Sequence, residues 1–493
     1  MGRKESDDDS GFSPGLPSVA PDPLRVTTAL SSTTPDRGEK EIVMTMIRQS
    51  PRLTAVQILT RVETSGAFAE PLLDRCLSRW PQQDPRDRGL ITELVYGTLR
   101  MRGFLDGILA QFLRRGLART DILLRNVLRT ALYQLFFTDR IPAHAAVHEA
   151  VALAGELCPG RDALVNAVLR SVQRRRERLA LPDRRTEFRS YAAFVHSHPP
   201  WLIDRWERRW GQEETLALCR ANNTSPRQIL RVNRLQSTRE KVIEELFQEG
   251  IRTEKTPYSP AGLVVMSAEK PLRETIPYRR GMFQLQDEAS QLIGSLVAPA
   301  AGETVLDLCA GMGGKTTHLG ELMDNRGRIF AVERQKGKLR QLRGLAARLG
   351  IQIITTLAAD ATLPLPEPPP GSCDRVLVDV PCSGLGTLRR CPEIKWRLTP
   401  EQLDRLPGLQ KRLLERAGDY VKPGGRLIYS TCSVMAEENE EVVMAFLECH
   451  REFRPAFPKG LPPDLLDEQG FLRTFPHRQG TDGFFGAVLE KKG

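Results

Sequence analysis

The sequence predicts a multidomain chain: an all-α N-terminal bundle, a small α/β module, and a C-terminal doubly wound α/β domain. Three observations carry this. The 493 residues are too many for one ordinary core, and a chain of this length folds as roughly three or four domains. From about Arg52 to Arg178 apolar residues recur at helical spacing with no strand-like alternation between them. Beyond Gly281 strand-like and helix-like segments take turns, the pattern of βαβ units in a mostly parallel sheet.

The elements follow in order. Residues 1–47, with "ESDDDSGFSPGLPSVAPDP", are rich in Ser, Asp, Pro and Gly and read as a disordered tail. They also fit an over-long gene start, with Met44 or Met46 as the true initiator. Residues 48–185 form the expected helical domain. In "DILLRNVLRTALYQLFF" the stripe Leu123, Leu124, Val127, Leu128, Ala131, Leu132, Leu135 and Phe136 is that of one helix face. The domain ends in a basic run, Arg174 to Arg185, which suits either a solvated helix end or contacts to an RNA backbone. Residues 186–280 hold a linker, marked by "HPPWLIDRWERRW", and a small module with strands in "QILRVNRL" and "GLVVMS" and a helix in "STREKVIEELFQEG".

Residues 281–493 carry strands in "ETVLDLCA", "GRIFAVE", "IQIITTLAAD", "CDRVLVDV", "GGRLIYSTC" and "FFGAVLEK". Ligands of such sheets bind at the carboxyl ends of the strands. Cys309, Glu333, Asp360, Asp379, Cys382 and Cys432 each lie at or just after a strand end, so one rim should collect them.

No apolar run reaches the about 18 residues that a membrane span needs. No secretory signal is visible either, and a cytoplasmic location is expected. The nine cysteines are odd in number and contain no C-x-x-C pair, which argues against a disulfide framework and against zinc. The net charge of +10 suits a polyanionic partner, RNA or DNA ahead of a membrane surface.

"LDLCAGMGGKTTH" sets Gly311, Gly313 and Gly314 between a strand and a helix. Glycines permit the tight turn, and the helix offers free N–H groups. Neither the P-loop nor the dinucleotide fingerprint is met in full. Glu333 ends the next strand, where a carboxylate grips ribose hydroxyls, and Asp360 ends the third, a place to meet an adenine amino group. NAD and S-adenosylmethionine both fit this layout.

The two thiols favour the second. "DVPCSG" ends the fourth strand and "YSTCSV" the fifth, so Cys382 and Cys432 face one pocket if the strands are neighbours. A lone cysteine is more often an inert core residue; two at consecutive strand ends are not readily explained that way. Carbon 5 of a pyrimidine takes a methyl group once a thiolate has added at carbon 6 and made it enamine-like, after which a base removes the carbon-5 proton and the thiolate leaves.

"DLCAGMGGKTT", "DVPCSGLGTLRRCPEIKWR", "YSTCSVMAEENE" and "LRTFPHRQGTDGFFGAVL" resemble the successive motifs of the RNA 5-methylcytosine methyltransferases. "DRGLITELVYGTLR", "IPAHAAVHEAVALA" and "LVNAVLR" resemble the NusB-like domain of their bacterial RsmB (Sun, Fmu) branch. The resemblance covers about residues 50–490. It implies a Rossmann-like methyltransferase domain, small-subunit (16S) ribosomal RNA as substrate, and one cytidine as target. S-adenosylmethionine is the implied donor, with no metal. Cys432 becomes the nucleophile and Cys382 the group that assists product release. Cys309, Ala310, Gly311, Met312, Gly313, Gly314 and Lys315, with Glu333, Asp360 and Asp379, would hold the donor, and Asp379 would also be near the base. The family's loop usually has Pro where this chain has Met312; proline fixes φ, so loop geometry or donor affinity would shift slightly. "LRVNRL" resembles the family's small RNA-binding subdomain. In "FQLQDEASQL", Gln286 and Asp287 suit either the site or a helix cap. "RRCPEIKWR", Arg389–Arg397, reads as an RNA-facing loop, with Trp396 alternatively in the core. A monomer is expected, with no DNA or membrane partner.

Two rivals remain. An RNA-binding assembly factor with a degenerate catalytic domain would not need both thiols and a full donor loop. A DNA cytosine methyltransferase would use Cys382 as nucleophile.

Overall fold

The structure, a computed structural model, describes residues 50–78 and 84–493; the expected tail over 1–47 lies outside them. The N-terminal domain is helical: α1 (Pro51–Ser65), α2 (Ala69–Ser78), α3 (Pro85–Arg100), α4 (Arg102–Phe112), α5 (Ile122–Phe137), α6 (Ala143–Leu157) and α7 (Asp162–Arg174). Starts are written locally. Ser50, Asp84 and Asp121 accept hydrogen bonds from the first-turn N–H groups of α1, α3 and α5, donors that would otherwise be orphaned. Helix α5 is buried on more than its apolar stripe. Leu124, Val127, Leu128, Ala131 and Leu132 lie in the core, but so do Asn126, Arg129, Thr130 and Gln134, whereas Leu123, Leu135 and Phe136 are half-buried. Arg129 is tolerated there because Asp106 (2.6 Å) and Glu63 (2.8 Å) neutralise it. In the basic run after α7, Arg176 lies 5.0 Å from the centre of the Phe136 ring and Arg184 pairs with Glu213.

Helices α8 (Phe188–Val195) and α9 (Pro200–Asn222), the second kinked at Gly211, lead to a four-stranded antiparallel sheet. Its strands are β1 (Ile229–Val232), β2 (Ile251–Lys255), β3 (Gly262–Ala268) and β4 (Phe283–Leu285), in the order β2-β3-β1-β4. Strand β4 lies past residue 280, so this sheet draws on the segment expected to open the next domain. Alternation along β1 is informative. Leu230 and Val232 face the module's own core. Arg231 and Asn233, on the other face, are also fully buried, against the C-terminal domain rather than in water.

The C-terminal domain is built on β5 (Thr304–Asp307), β6 (Arg328–Val332), β7 (Ile354–Leu357), β8 (Cys373–Asp379) and β9 (Val421–Thr431), all parallel. Antiparallel β10 (Phe453–Pro455), β11 (Leu472–Thr474) and β12 (Phe484–Lys491) complete the sheet. The order is β10-β12-β9-β8-β5-β6-β7, with β11 on β12. The chain winds outward from β5 to β7, then returns to the other side of β5 as β8. The crevice between the carboxyl ends of β5 and β8 is therefore the switch point where such sheets bind ligands.

The segment Arg389–Arg397 does not face outward as a whole. Lys395 is buried and donates to the carbonyls of Arg100 (2.8 Å) and Ser197 (2.9 Å) and to Asn223 Oδ1 (3.1 Å). Trp396 Nε1 donates to the Leu99 carbonyl at 2.7 Å, and buried Glu393 accepts from Ala69 N–H at 2.8 Å. This corrects the RNA-facing reading for Glu393 and Lys395 and fits the alternative of Trp396 as a core residue, while Arg389 and Arg390 line a cleft. The loop ties the C-terminal domain to the N-terminal bundle, and Trp396 is a packing residue with a satisfied N–H.

Candidate functional site

Strands β8 and β9 are hydrogen-bonded neighbours in parallel register, with Asp379 opposite Ser430. Each chain passes its strand end and turns, so the two thiols meet: Cys382 Sγ and Cys432 Sγ are 3.1 Å apart, and Cys432 N–H donates to Cys382 Sγ at 3.3 Å. Its own hydrogen bond to the Cys432 sulfur, then burial, pushes the Cys382 thiol well above its ordinary range. Cys432 opens onto a cleft of about 670 Å³; Cys382 is not among the residues lining it. Geometry thus makes the two cysteines unequal.

Lys315 Nζ sits 2.8 Å from Asp379 Oδ2, and Ser430 Oγ donates to Asp379 Oδ1 at 2.7 Å. Burial opposes the Lys315 charge, but Asp379 outweighs it, with smaller contributions from Cys432 and Asp307, and the ammonium is held above its usual range. Asp379 is thus fixed at the mouth of the β5/β8 crevice, three residues before Cys382.

The loop from Cys309 to Lys315 leaves β5 and enters α10 (Gly314–Leu322). Gly313 has φ 89°, and a Cβ there would lie 2.5 Å from Leu342 Cγ, so only glycine fits without displacing a neighbour. Met312 is 47% exposed and lines the cleft with Gly314 and Lys315. Cys309 is held up by burial and by the charges of Asp307, Asp379 and Glu333. Glu333 follows β6, accepting from Gln335 N–H (2.8 Å) and facing Lys338 (3.5 Å). Asp360 follows β7; the backbone N–H and hydroxyl of Thr362 donate to its Oδ1 at 2.9 and 2.7 Å and lower its pKa. Carboxylates on successive strand ends suit the ribose hydroxyls and amino group of a nucleoside, and the glycine turn with its helix N-terminus suits an anionic group, such as a carboxylate, on the same ligand. Gly313→Ala should introduce about 1–3 kcal/mol of strain, weaken donor affinity by titration calorimetry, and lower the melting temperature by a few degrees.

Beneath the loop, Asp307 is buried and accepts from Thr316 Oγ1 at 2.7 Å. Burial, with Asp379 nearby, raises its pKa to about 7. A folded-state pKa above the unfolded one contributes stability below the unfolded value that is lost as pH rises through about 7. Asp307→Asn should flatten that decline in thermal melts run from pH 4 upward.

Sequence reasoning missed several residues. Arg231 donates to Glu321 at 3.1 and 2.7 Å and to the Gly314 carbonyl at 2.7 Å, so the small module grips the donor loop. Asp287 does cap the helix Glu288–Val297 through Ala289 N–H at 2.9 Å, and its other oxygen holds Arg390 at 2.7 Å. Both readings of Asp287 hold together. Arg390 also binds Asp482 at 2.6 Å. Gln286 accepts from Arg231 and lines the cleft. Glu70, Tyr96 and Arg100 from the N-terminal bundle line it too, with Gln228 and Arg273 from the middle of the chain. Three domains therefore converge on Cys432.

Comparison with known proteins agrees with this geometry. Residues 295–490 match the 16S rRNA methyltransferase RsmB/F family, residues 49–174 the NusB family, and residues 198–270 the ferredoxin-like domain of RsmF/B-like methyltransferases. The probable ribosomal RNA small subunit methyltransferase B of Bacillus subtilis is 36% identical over 463 residues, covering 91% of this chain and 100% of that one. The chain belongs to the RsmB family. The ribosomal RNA small subunit methyltransferase B of Pseudomonas syringae is 34% identical, over 90% of this chain and 97% of its own. Among solved structures, PH0851 superposes with a TM-score of 0.77 at 29% identity, over 90% of this chain and all of that one. A methyltransferase homolog protein from Pyrococcus horikoshii gives 0.53 at 28% identity over 60% of this chain and 96% of its own. The RsmB-family assignment accounts for the helical bundle, the ferredoxin-like sheet and the methyltransferase sheet in one chain.

Proposed function

We propose that this chain methylates carbon 5 of a cytidine in small-subunit ribosomal RNA, in the cytoplasm. The observation that carries this reading is the pair of thiols 3.1 Å apart at consecutive strand ends, with Cys432 facing the cleft. S-adenosylmethionine supplies the methyl group. Cys309 to Lys315, Glu333, Asp360 and Asp379 hold it beside the thiols.

The cytosine enters the cleft unstacked from its strand. Cys432, as thiolate, adds to carbon 6, and the electron pair of the 5,6 double bond becomes available at carbon 5. Lys315 is placed to balance part of the thiolate charge. Carbon 5 takes the methyl group, loses its proton to a base, and the regenerated double bond expels Cys432. Cys382, its sulfur against that of Cys432 but not lining the cleft, serves this last step. That its relatives are ribosomal RNA small subunit methyltransferases supports ribosomal RNA as the substrate.

The test is incubation with tritiated S-adenosylmethionine and 16S-type RNA, followed by nucleoside analysis. Label in 5-methylcytidine is expected; unlabelled RNA, or label in another nucleoside, sinks the reading. Bisulfite sequencing of ribosomal RNA from a deletion strain then locates the base.

A further inference from the structure

Glu438 lies six residues beyond Cys432, in a short turn, and is fully buried. A buried carboxylate is costly unless its oxygens are satisfied. Here they are satisfied by both cysteine loops at once. Oε1 accepts from Ser383 N–H at 2.7 Å and from Gln410 Nε2 at 3.0 Å. Oε2 accepts from the hydroxyls of Ser383 and Ser433. Ser383 directly follows Cys382 and Ser433 directly follows Cys432, and their hydroxyls are 3.1 Å apart.

The surroundings stiffen this clamp. Gln410 also donates to the Pro381 carbonyl at 3.1 Å, Tyr429 OH donates to the Glu438 carbonyl at 2.5 Å, and Asn439 Nδ2 donates to the Ser433 carbonyl at 3.0 Å. The residues on both sides of Cys382, and the one after Cys432, are thus anchored to one side chain or its immediate partners.

We infer that Glu438 is a positioning residue: it sets the spacing between the attacking thiol and the releasing thiol. It touches neither thiol and no substrate. Its effect falls on release, the step that needs Cys382 against the Cys432 sulfur. The inference rests on the reaction proposed above.

The division of donors makes the test sharp. A glutamine can turn its oxygen to the two N–H donors and its amide nitrogen to the two hydroxyl oxygens, which accept as well as donate. Glu438→Gln should therefore keep the clamp, whereas Glu438→Ala removes it. Wild type, Cys382→Ala, Glu438→Gln and Glu438→Ala are compared for turnover, donor affinity and denaturation-resistant RNA adduct. Glu438→Ala is expected to accumulate adduct as Cys382→Ala does, with turnover down on the order of 10²-fold and donor affinity unchanged. Glu438→Gln is expected to behave like wild type. Should Glu438→Ala fail to fold, Ser383→Ala with Ser433→Ala removes only the hydroxyl struts and is read the same way. Wild-type turnover in the clamp-free variant, or lost turnover without adduct, overturns the inference. If wild type labels no RNA and Cys382→Ala forms no adduct, the proposed reaction itself has failed.

Discussion

Cys432→Ala forms no covalent adduct with 16S-type RNA, while Cys382→Ala accumulates one that survives denaturation. That is the expected result, and it separates two thiols that are chemically identical in sequence. Cys432 lines the cleft and Cys382, half-buried like it, does not; the two sulfurs are 3.1 Å apart. A base arriving through the cleft meets the Cys432 sulfur first. Removing that sulfur removes the nucleophile, so turnover should fall on the order of 10³-fold or more. Removing Cys382 leaves addition and methylation in place and stalls elimination, so protein and RNA remain joined. Gel electrophoresis under denaturing conditions, with labelled RNA, reads both outcomes. Adduct in Cys432→Ala and none in Cys382→Ala would mean the thiols are assigned backwards, as a DNA-type mechanism would have it.

Arg231→Met should cost about 3–5 kcal/mol, the usual penalty for stripping one partner from a buried ion pair. Arg231 and Glu321 are 0% and 1% exposed at the side chain. Burial already raises the Glu321 pKa, with Arg231 restraining the rise. Without Arg231 the carboxyl is driven to its neutral form, and its folded-state pKa moves further above the unfolded one. Stability contributed by such a group is present at low pH and lost as pH rises. The deficit of the variant should therefore be small in acid and grow from the ordinary carboxylate range toward neutrality in denaturant melts. Donor affinity should fall as well, because the same guanidinium holds the Gly314 carbonyl at 2.7 Å. A deficit independent of pH would show that Glu321 does not stay buried when its partner is gone.

Much of the architecture was readable along the chain because its signals are local. Helical spacing in α5, the Ser-Pro start of α1 and Asp-Pro start of α3, and the strand–glycine–helix turn at Gly313 each depend on a few consecutive residues. Missed features depend on partners distant in sequence. Strand β4 has three residues and exists only because β1 pairs with it. Arg231 looked like the polar side of an ordinary amphipathic strand. Nothing nearby announces Glu321, ninety residues on. Lys395 looked like an RNA ligand because a basic, aromatic loop has that composition, Trp396 suited RNA or the core equally, and only their carbonyl partners Arg100, Ser197 and Leu99 reveal a domain junction.

The sequence by itself determined the three-part layout, the rim that holds the strand-end residues, and the presence of two cysteines at consecutive strand ends. It did so because strand ends in a doubly wound sheet are ordered by chain direction alone. Tertiary structure decided the rest. Register between β8 and β9 brought the sulfurs into contact, the convergence of three domains left Cys432 facing the cleft, and a single buried carboxylate joined the loops that carry both thiols. Those are distances between residues far apart in the chain, and only packing sets them.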